Sequence, residues 1–135
     1  MAYVAIVTVL ALLQFIWFGV QVGRARAKYG VAAPAASGNE IFERHFRVQM
    51  NTLEQLVLFL PALWIFGNYV SPIWAAGLGV VFIIGRFIYA SAYLRDPKGR
   101  SLGFSLTALP TLAMMVGILV WAVRALVGGA TGQLG

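Results

Sequence analysis

The chain has 135 residues, of which 61% are hydrophobic and only 10% are charged. In soluble domains, roughly a quarter of all residues are charged. A chain this small also cannot bury so much apolar surface within itself. An ordinary soluble domain is therefore excluded, and we expect an integral membrane protein. The net charge of +6 does not indicate a nucleic-acid partner, because the basic residues cluster beside hydrophobic spans. The absence of cysteine excludes disulfides and a protein thiol.

The first predicted element is a membrane span over residues 2–23. It carries no charge up to position 22, and about 20 apolar residues suffice to cross the hydrocarbon core. Because it lacks a basic leading region and a small-residue cleavage site, we expect a retained helix rather than a cleaved signal peptide. A basic cluster over residues 24–28 ends the span, and the small residues of segment 30–38 predict a loop.

Hydropathy predicts three further membrane spans, over residues 40–67, 73–95 and 102–124. Asn39 is a favourable N-cap for the second span, and Pro97 cannot continue the third. The glycine-rich tail over residues 128–135 is expected to fray. The sequence therefore predicts an all-α fold, a single domain over residues 1–135 with four membrane-spanning helices.

The basic residues are unevenly distributed among the connections between these spans. The first and third connections carry most of them, and the second carries none. By the positive-inside rule, residues 24–40 and 95–101 then lie in the cytoplasm, with both termini on the opposite side. The abundance of Ala, Val and Gly and the lack of cysteine favour a bacterial inner membrane.

Polar residues recur along one face of the second predicted helix. At 100° per residue, five of them fall within about 80° of one another: Glu40, Glu43, Arg47, Asn51 and Glu54. Glu54 adjoins the apolar half of the helix, where an ionisable group is expensive unless it is paired or faces a cavity. The stripe is either a set of solvent-exposed side chains that interact at i, i+4 spacing or one side of a polar site. His45 lies on another face without a second candidate ligand, so we expect no metal site.

The third predicted helix repeats this pattern. Arg86, Tyr89 and Tyr93 share one face, with i, i+3, i+7 spacing. Arg86 could pair with Glu54 as a structural ion pair, and the tyrosines could be interfacial belt residues. Alternatively, both stripes converge with Arg100 near the cytoplasm. They would then offer guanidinium groups, an amide, carboxylates and phenols to a small zwitterionic ligand.

Two segments together resemble the signatures of the MAPEG family, the membrane-associated proteins of eicosanoid and glutathione metabolism. Residues 42–54 are similar to its FERxxRxQxNxxE motif, and residues 85–94 are similar to its GRxxYxxxY helix. Arg100 and Ser101 follow in a matching basic turn. The resemblance extends from the first loop to the fourth helix.

The resemblance implies a four-helix protomer that assembles as a homotrimer and binds glutathione, its cosubstrate, at the subunit interface. Arg100 would be a catalytic residue that stabilises the glutathione thiolate, as a nearby guanidinium does. Ser101 would be a second catalytic residue, donating a hydrogen bond to the sulfur. The glutathione contacts carried over by position are Arg26, Arg47, Gln49, Asn51, Glu54, Arg86, Tyr89 and Tyr93.

The function implied by the resemblance is that of a membrane-bound glutathione transferase acting on lipophilic electrophiles, in detoxification or eicosanoid-like lipid metabolism. A lipid-hydroperoxide peroxidase activity is a further expectation. Ala27 and Gln55 depart from the leukotriene synthase branch, and Met50 and Tyr89 depart from the prostaglandin E synthase branch, so a general transferase is favoured. The alternative is a non-enzymatic lipid-binding scaffold, against which the retained Arg100 argues. A small channel would rest only on the intramembrane charges.

Overall fold

A computed structural model describes residues 1–130 of the chain as four long α-helices. The helices are α1 (Ala2–Tyr29), α2 (Glu40–Tyr69), α3 (Pro72–Arg95) and α4 (Ser101–Ala130), with a 3-10 turn at Pro97–Gly99. All four are long and apolar enough to span a membrane. The predicted all-α fold with four candidate spans is therefore confirmed.

The boundaries of α1 and α2 follow from local sequence chemistry. α1 continues beyond the predicted span to Tyr29, because the Arg, Ala and Lys residues of the basic cluster are strong helix formers. It ends at Gly30, whose φ of 68° is left-handed and favours glycine. α2 begins after Asn39 as predicted, since the Asn39 side chain accepts hydrogen bonds from the amides of Ile41 and Phe42.

α4 is longer than the sequence indicates. The prediction ends the span at residue 124 and has the tail fray from residue 128, but α4 remains helical to Ala130. Within or near lipid, backbone N–H and C=O groups must find partners inside the chain, which favours continuing the helix over fraying it. Residues 131–135 of the predicted tail lie outside the described residues.

α2 and α3 form the centre of the bundle. α1 packs against both of them, and α4 packs against both from another side, with the most extensive contact between α3 and α4. The rings of Phe59 and Phe82 stack within the core, with centroids 3.8 Å apart. The α1–α2 loop and the 3-10 turn lie at the same end of the bundle, which we call the basic end (residues 24–47 and 95–101).

Two glycines bring α3 and α4 close together near the basic end. A Cβ on Gly103 would overlap with the backbone of Tyr89, and a Cβ on Gly85 would lie 2.8 Å from the carbonyl carbon of Leu106. No side chain larger than hydrogen fits at either position without moving backbone. Small residues at such crossings are what allows helices to pack tightly in lipid.

We expect Gly103→Ala to lower the free energy of unfolding by about 1–3 kcal/mol, the usual effect of overpacking. Gly77→Ala is the matched control, because a Cβ there meets no atom within 4 Å. Gly77→Ala should raise the free energy of unfolding by up to about 1 kcal/mol, because alanine has a higher helix propensity than glycine. Unfolding of both variants in detergent, followed by circular dichroism, measures the difference. Equal stabilities would contradict the close approach of α3 and α4.

Candidate functional site

A polar cleft opens between α2, α3 and α4 at the basic end. Its volume is about 380 Å³, within the range of about 300–1,000 Å³ that is typical of small-molecule pockets. Two guanidinium groups, an amide, two phenols and one apolar ring face the same space. The lining residues are Arg47, Asn51, Tyr89, Tyr93, Arg100 and Phe104.

Helical spacing explains how the cleft is assembled. Arg47 and Asn51 are four residues apart on α2, and Tyr89 and Tyr93 are four apart on α3, so each pair shares one face. The two tyrosine rings stack with centroids 5.6 Å apart. Arg100 directly precedes α4. Only part of each polar stripe, Arg47 with Asn51 on α2 and Tyr89 with Tyr93 on α3, therefore meets the turn arginine at the cleft.

The two arginines of the cleft are available to a ligand. Arg47 and Arg100 are exposed, and neither guanidinium group forms a hydrogen bond or ion pair within residues 1–130. The amide oxygen of Asn51 is buried and accepts no hydrogen bond from the described residues. A buried acceptor without a donor is unfavourable by about 1–3 kcal/mol. The cleft thus presents unpaired donors for anions and an unpaired acceptor for an N–H group.

Arg86 lies in the protein interior and does not line the cleft. Its side chain is 0% exposed, and it donates hydrogen bonds to Thr52 Oγ1 on α2 at 2.8 Å and to Thr107 Oγ1 on α4 at 3.4 Å. Its guanidinium carbon lies 4.4 Å from the centroid of the Tyr89 ring. The alternative ion pair with Glu54 is wrong, because Glu54 is exposed and Arg86 takes threonine partners. Tyr89 is buried, so it is not a belt residue.

The two threonines can accept hydrogen bonds from Arg86 because their own protons are used elsewhere. Thr52 donates to the Val48 carbonyl at 2.7 Å, and Thr107 donates to the Gly103 carbonyl at 2.8 Å. A hydroxyl has one proton and two lone pairs, so each still offers a lone pair to the guanidinium. The Nε of Arg86 has no acceptor among the described residues.

Sequence reasoning missed three residues of this region. Phe104 lines the cleft, and its i, i+4 spacing from Arg100 was the available signal. Thr52 and Thr107 hold Arg86, and the only signal was a threonine within an otherwise apolar stretch of each neighbouring helix. An arginine placed in such a stretch requires acceptors on the helices around it.

Besides Arg86, four predicted site residues do not line the cleft: Arg26, Gln49, Glu54 and Ser101. The last two are exposed. Arg26 donates to the Ala35 carbonyl at 2.7 Å, in the α1–α2 loop. Gln49 packs against Gly19 of α1. On α2, Gln49 points about 200° away from Arg47 at 100° per residue, so the two side chains do not face the same cleft.

We expect Thr52→Val to reduce stability more than the isosteric control Thr111→Val, by about 1–2 kcal/mol. Thr52 accepts the short hydrogen bond from Arg86, whereas the Thr111 hydroxyl makes a single hydrogen bond within residues 1–130, a long one of 3.5 Å to the Thr107 carbonyl. Reversible unfolding in mixed detergent micelles measures both losses. Equal losses would show that the guanidinium does not depend on Thr52.

The chain matches a protein family and several curated proteins over most of its length. The MAPEG family model matches residues 4–120. An uncharacterized protein of Synechocystis sp. is 48% identical over 125 residues, covering 90% of this chain and 91% of the relative. Microsomal glutathione S-transferase 2 of Homo sapiens is 42% identical (84% and 80% covered). Leukotriene C4 synthase of Cavia porcellus is 36% identical (92% and 88% covered). With its two signature segments and the cleft that they build, this chain belongs to the MAPEG family.

Proposed function

We propose that this protein is a membrane-bound glutathione transferase that joins the glutathione thiolate to lipophilic electrophiles. The observation that carries the proposal is the cleft in which unpaired Arg47 and Arg100 face Asn51, Tyr89 and Tyr93. Relatives named microsomal glutathione S-transferase 2 and leukotriene C4 synthase support it. Reduction of lipid hydroperoxides is a second activity that the same thiolate would supply.

The cleft offers groups that match those of glutathione, which has two carboxylates, an ammonium group, two peptide bonds and a thiol. Guanidinium groups bind carboxylates through paired hydrogen bonds, a role that we give to Arg47. The buried Asn51 amide oxygen suits a peptide N–H. The phenols of Tyr89 and Tyr93 add hydrogen-bonding groups on the opposite wall. Glu54 follows Asn51 by about one turn on the same helix face and is the proposed partner of the ammonium group.

Arg100 is the proposed catalytic residue. A thiol with a pKa of about 8.5 is mostly protonated at neutral pH, and a neighbouring guanidinium favours the thiolate. The thiolate sulfur then attacks the electrophilic carbon, a C–S bond forms, and the leaving group departs with its electron pair. Ser101, next to Arg100, is the proposed second donor to the sulfur. Phe104 provides an apolar surface for a lipophilic substrate beside the reacting atom.

The proposed glutathione site is completed by a second copy of the chain. Arg26 and Gln49 face away from the cleft of their own protomer, and Gly19, which Gln49 contacts, lies two turns from Arg26 on the same side of α1. Both side chains would therefore reach the cleft of a neighbouring protomer. A head-to-tail ring closes with identical interfaces, which agrees with the homotrimer that the family resemblance implies.

We propose that the basic end faces the cytoplasm, with both termini on the opposite side. The uneven loop charge favours this orientation. It would open the cleft to the cytosolic glutathione pool, while a lipophilic substrate would enter from the bilayer. The bacterial inner membrane remains the proposed location.

Arg100→Ala should reduce the rate of glutathione conjugation to a simple aryl halide about 100-fold, as removal of one charge-stabilising donor does. The pH at which the rate rises should move up toward the ordinary thiol pKa of about 8.5. Lys98→Ala is the control, because Lys98 lies in the same turn but outside the cleft. Full activity of Arg100→Ala would remove Arg100 from the mechanism. If calorimetry detects no heat of binding at millimolar glutathione, the lipid-binding scaffold is favoured instead.

Co-assembly of two inactive variants tests whether the site is shared between protomers. Arg26→Ala and Arg47→Ala should each lose most glutathione binding. In randomly mixed oligomers, about a quarter of the interfaces of a head-to-tail ring combine an intact Arg47 with an intact Arg26 from the neighbour. Coexpression should therefore restore about a quarter of the wild-type activity. No recovery would place all binding groups within one protomer.

A further inference from the structure

A second concave surface runs along α1, on the other side of α3 from the cleft. Its inner part lies between α1 and α3 with α2 as the floor, and its part toward the basic end lies between α1 and α2. It consists of two adjoining cavities of about 220 and 380 Å³, which share Gln21 and His45. The smaller cavity lies farther from the basic end, and Trp17 and Phe87 line it. The cavity toward the basic end is more polar. We call this surface the α1–α3 groove.

The mouth of the groove is cationic. Arg24 and Lys28 line it and are exposed, one helical turn apart on α1. Arg24 forms no hydrogen bond or ion pair within residues 1–130, and Lys28 contacts only the ring of Tyr29, at 5.4 Å. No acidic residue lines either cavity. Two uncompensated positive charges thus stand at the point where α1 leaves the apolar span.

The deeper part of the groove is apolar and open. Trp17 and Phe87 are each 48% exposed, and Val48 forms part of the floor. Arg24 follows Trp17 by seven positions, which is about 10 Å along the helix. A ligand that fills the groove therefore needs an anionic group at one end and a long apolar chain at the other.

The α1–α3 groove faces away from the proposed subunit interface. At 100° per residue, Arg24 and Lys28 lie about 160–200° around α1 from Arg26. The buried stripe that includes Val22 and Ala25 separates the two flanks. The groove therefore remains exposed to lipid when Arg26 reaches into a neighbouring protomer.

We propose that the α1–α3 groove binds one anionic phospholipid, with its headgroup phosphate on Arg24 and Lys28 and an acyl chain against Trp17 and Phe87. Basic pockets between helices, at the boundary of the hydrocarbon core, recognise such headgroups. The polar side chains of Gln21 and His45 lie where the two cavities join, at the level of the lipid's glycerol and ester groups. The groove shares no lining residue with the cleft.

Native mass spectrometry of the detergent-solubilised protein tests this proposal. The probes are phosphatidylglycerol and phosphatidylcholine with identical acyl chains. Wild type should retain phosphatidylglycerol preferentially, and the double variant Arg24→Gln/Lys28→Gln should lose that preference, by about fivefold for each charge removed. Ser91→Leu narrows the groove without changing its charge and should also release the lipid.

The matched control is Arg95→Gln/Lys98→Gln, which removes two positive charges from the same end outside the groove. It should retain phosphatidylglycerol as wild type does. Equal retention of both lipids by wild type, or equal loss in the two double variants, would overturn the proposal. Retention by Ser91→Leu, or binding of glycerol phosphate as tight as that of the lipid, would reveal a simple anion site and also overturn it.

The result is separable from the proposed transferase function. Neither Arg24 nor Lys28 lines the cleft, so Arg24→Gln/Lys28→Gln should conjugate glutathione at the wild-type rate in phosphatidylcholine vesicles. Loss of conjugation in this variant would contradict the separation of groove and cleft.

Discussion

The guanidinium of Arg86 is fully buried between α2, α3 and α4, and the arrangement of these helices depends on how it is satisfied. A charged group away from water is stable only where its N–H groups find acceptors. Those acceptors are hydroxyls on α2 and α4, so one side chain joins three helices at one level. Gly85, beside Arg86, has no side chain, which lets α4 come close enough to supply its hydroxyl.

This buried cluster also fixes the wall of the cleft. Arg86 stacks on Tyr89, and Tyr89 stacks on Tyr93, so a continuous series of flat groups leads from the core to the surface. Gly103 adds to this restraint, because its backbone packs directly on that of Tyr89. Side chains held in place before binding lose less conformational entropy when a ligand arrives. Under the proposed function, Arg86 would therefore assist glutathione binding by holding Tyr89 in place, without touching the ligand.

The two concave surfaces of the chain suit different molecules. The cleft is lined by polar groups with unpaired hydrogen-bonding capacity, which suits a charged, water-soluble cosubstrate. The α1–α3 groove is cationic only at its mouth and apolar below, which suits a lipid. Both open near the basic end, where a membrane protein meets aqueous solution and headgroups together. Under the proposed function, this end receives glutathione while the bilayer supplies the electrophile.

Hydropathy alone predicted the four helices, because lipid demands about 20 apolar residues for each span. Periodicity predicted which residues share a face, and for Arg47 with Asn51 and Tyr89 with Tyr93 the faces do meet at the cleft. Spacing along one helix defines a direction but not the neighbour in that direction. Only the tertiary structure decided that Arg86 points to threonines and that Gln49 faces α1. Those neighbours depend on how closely the helices approach, which small residues at the crossings set.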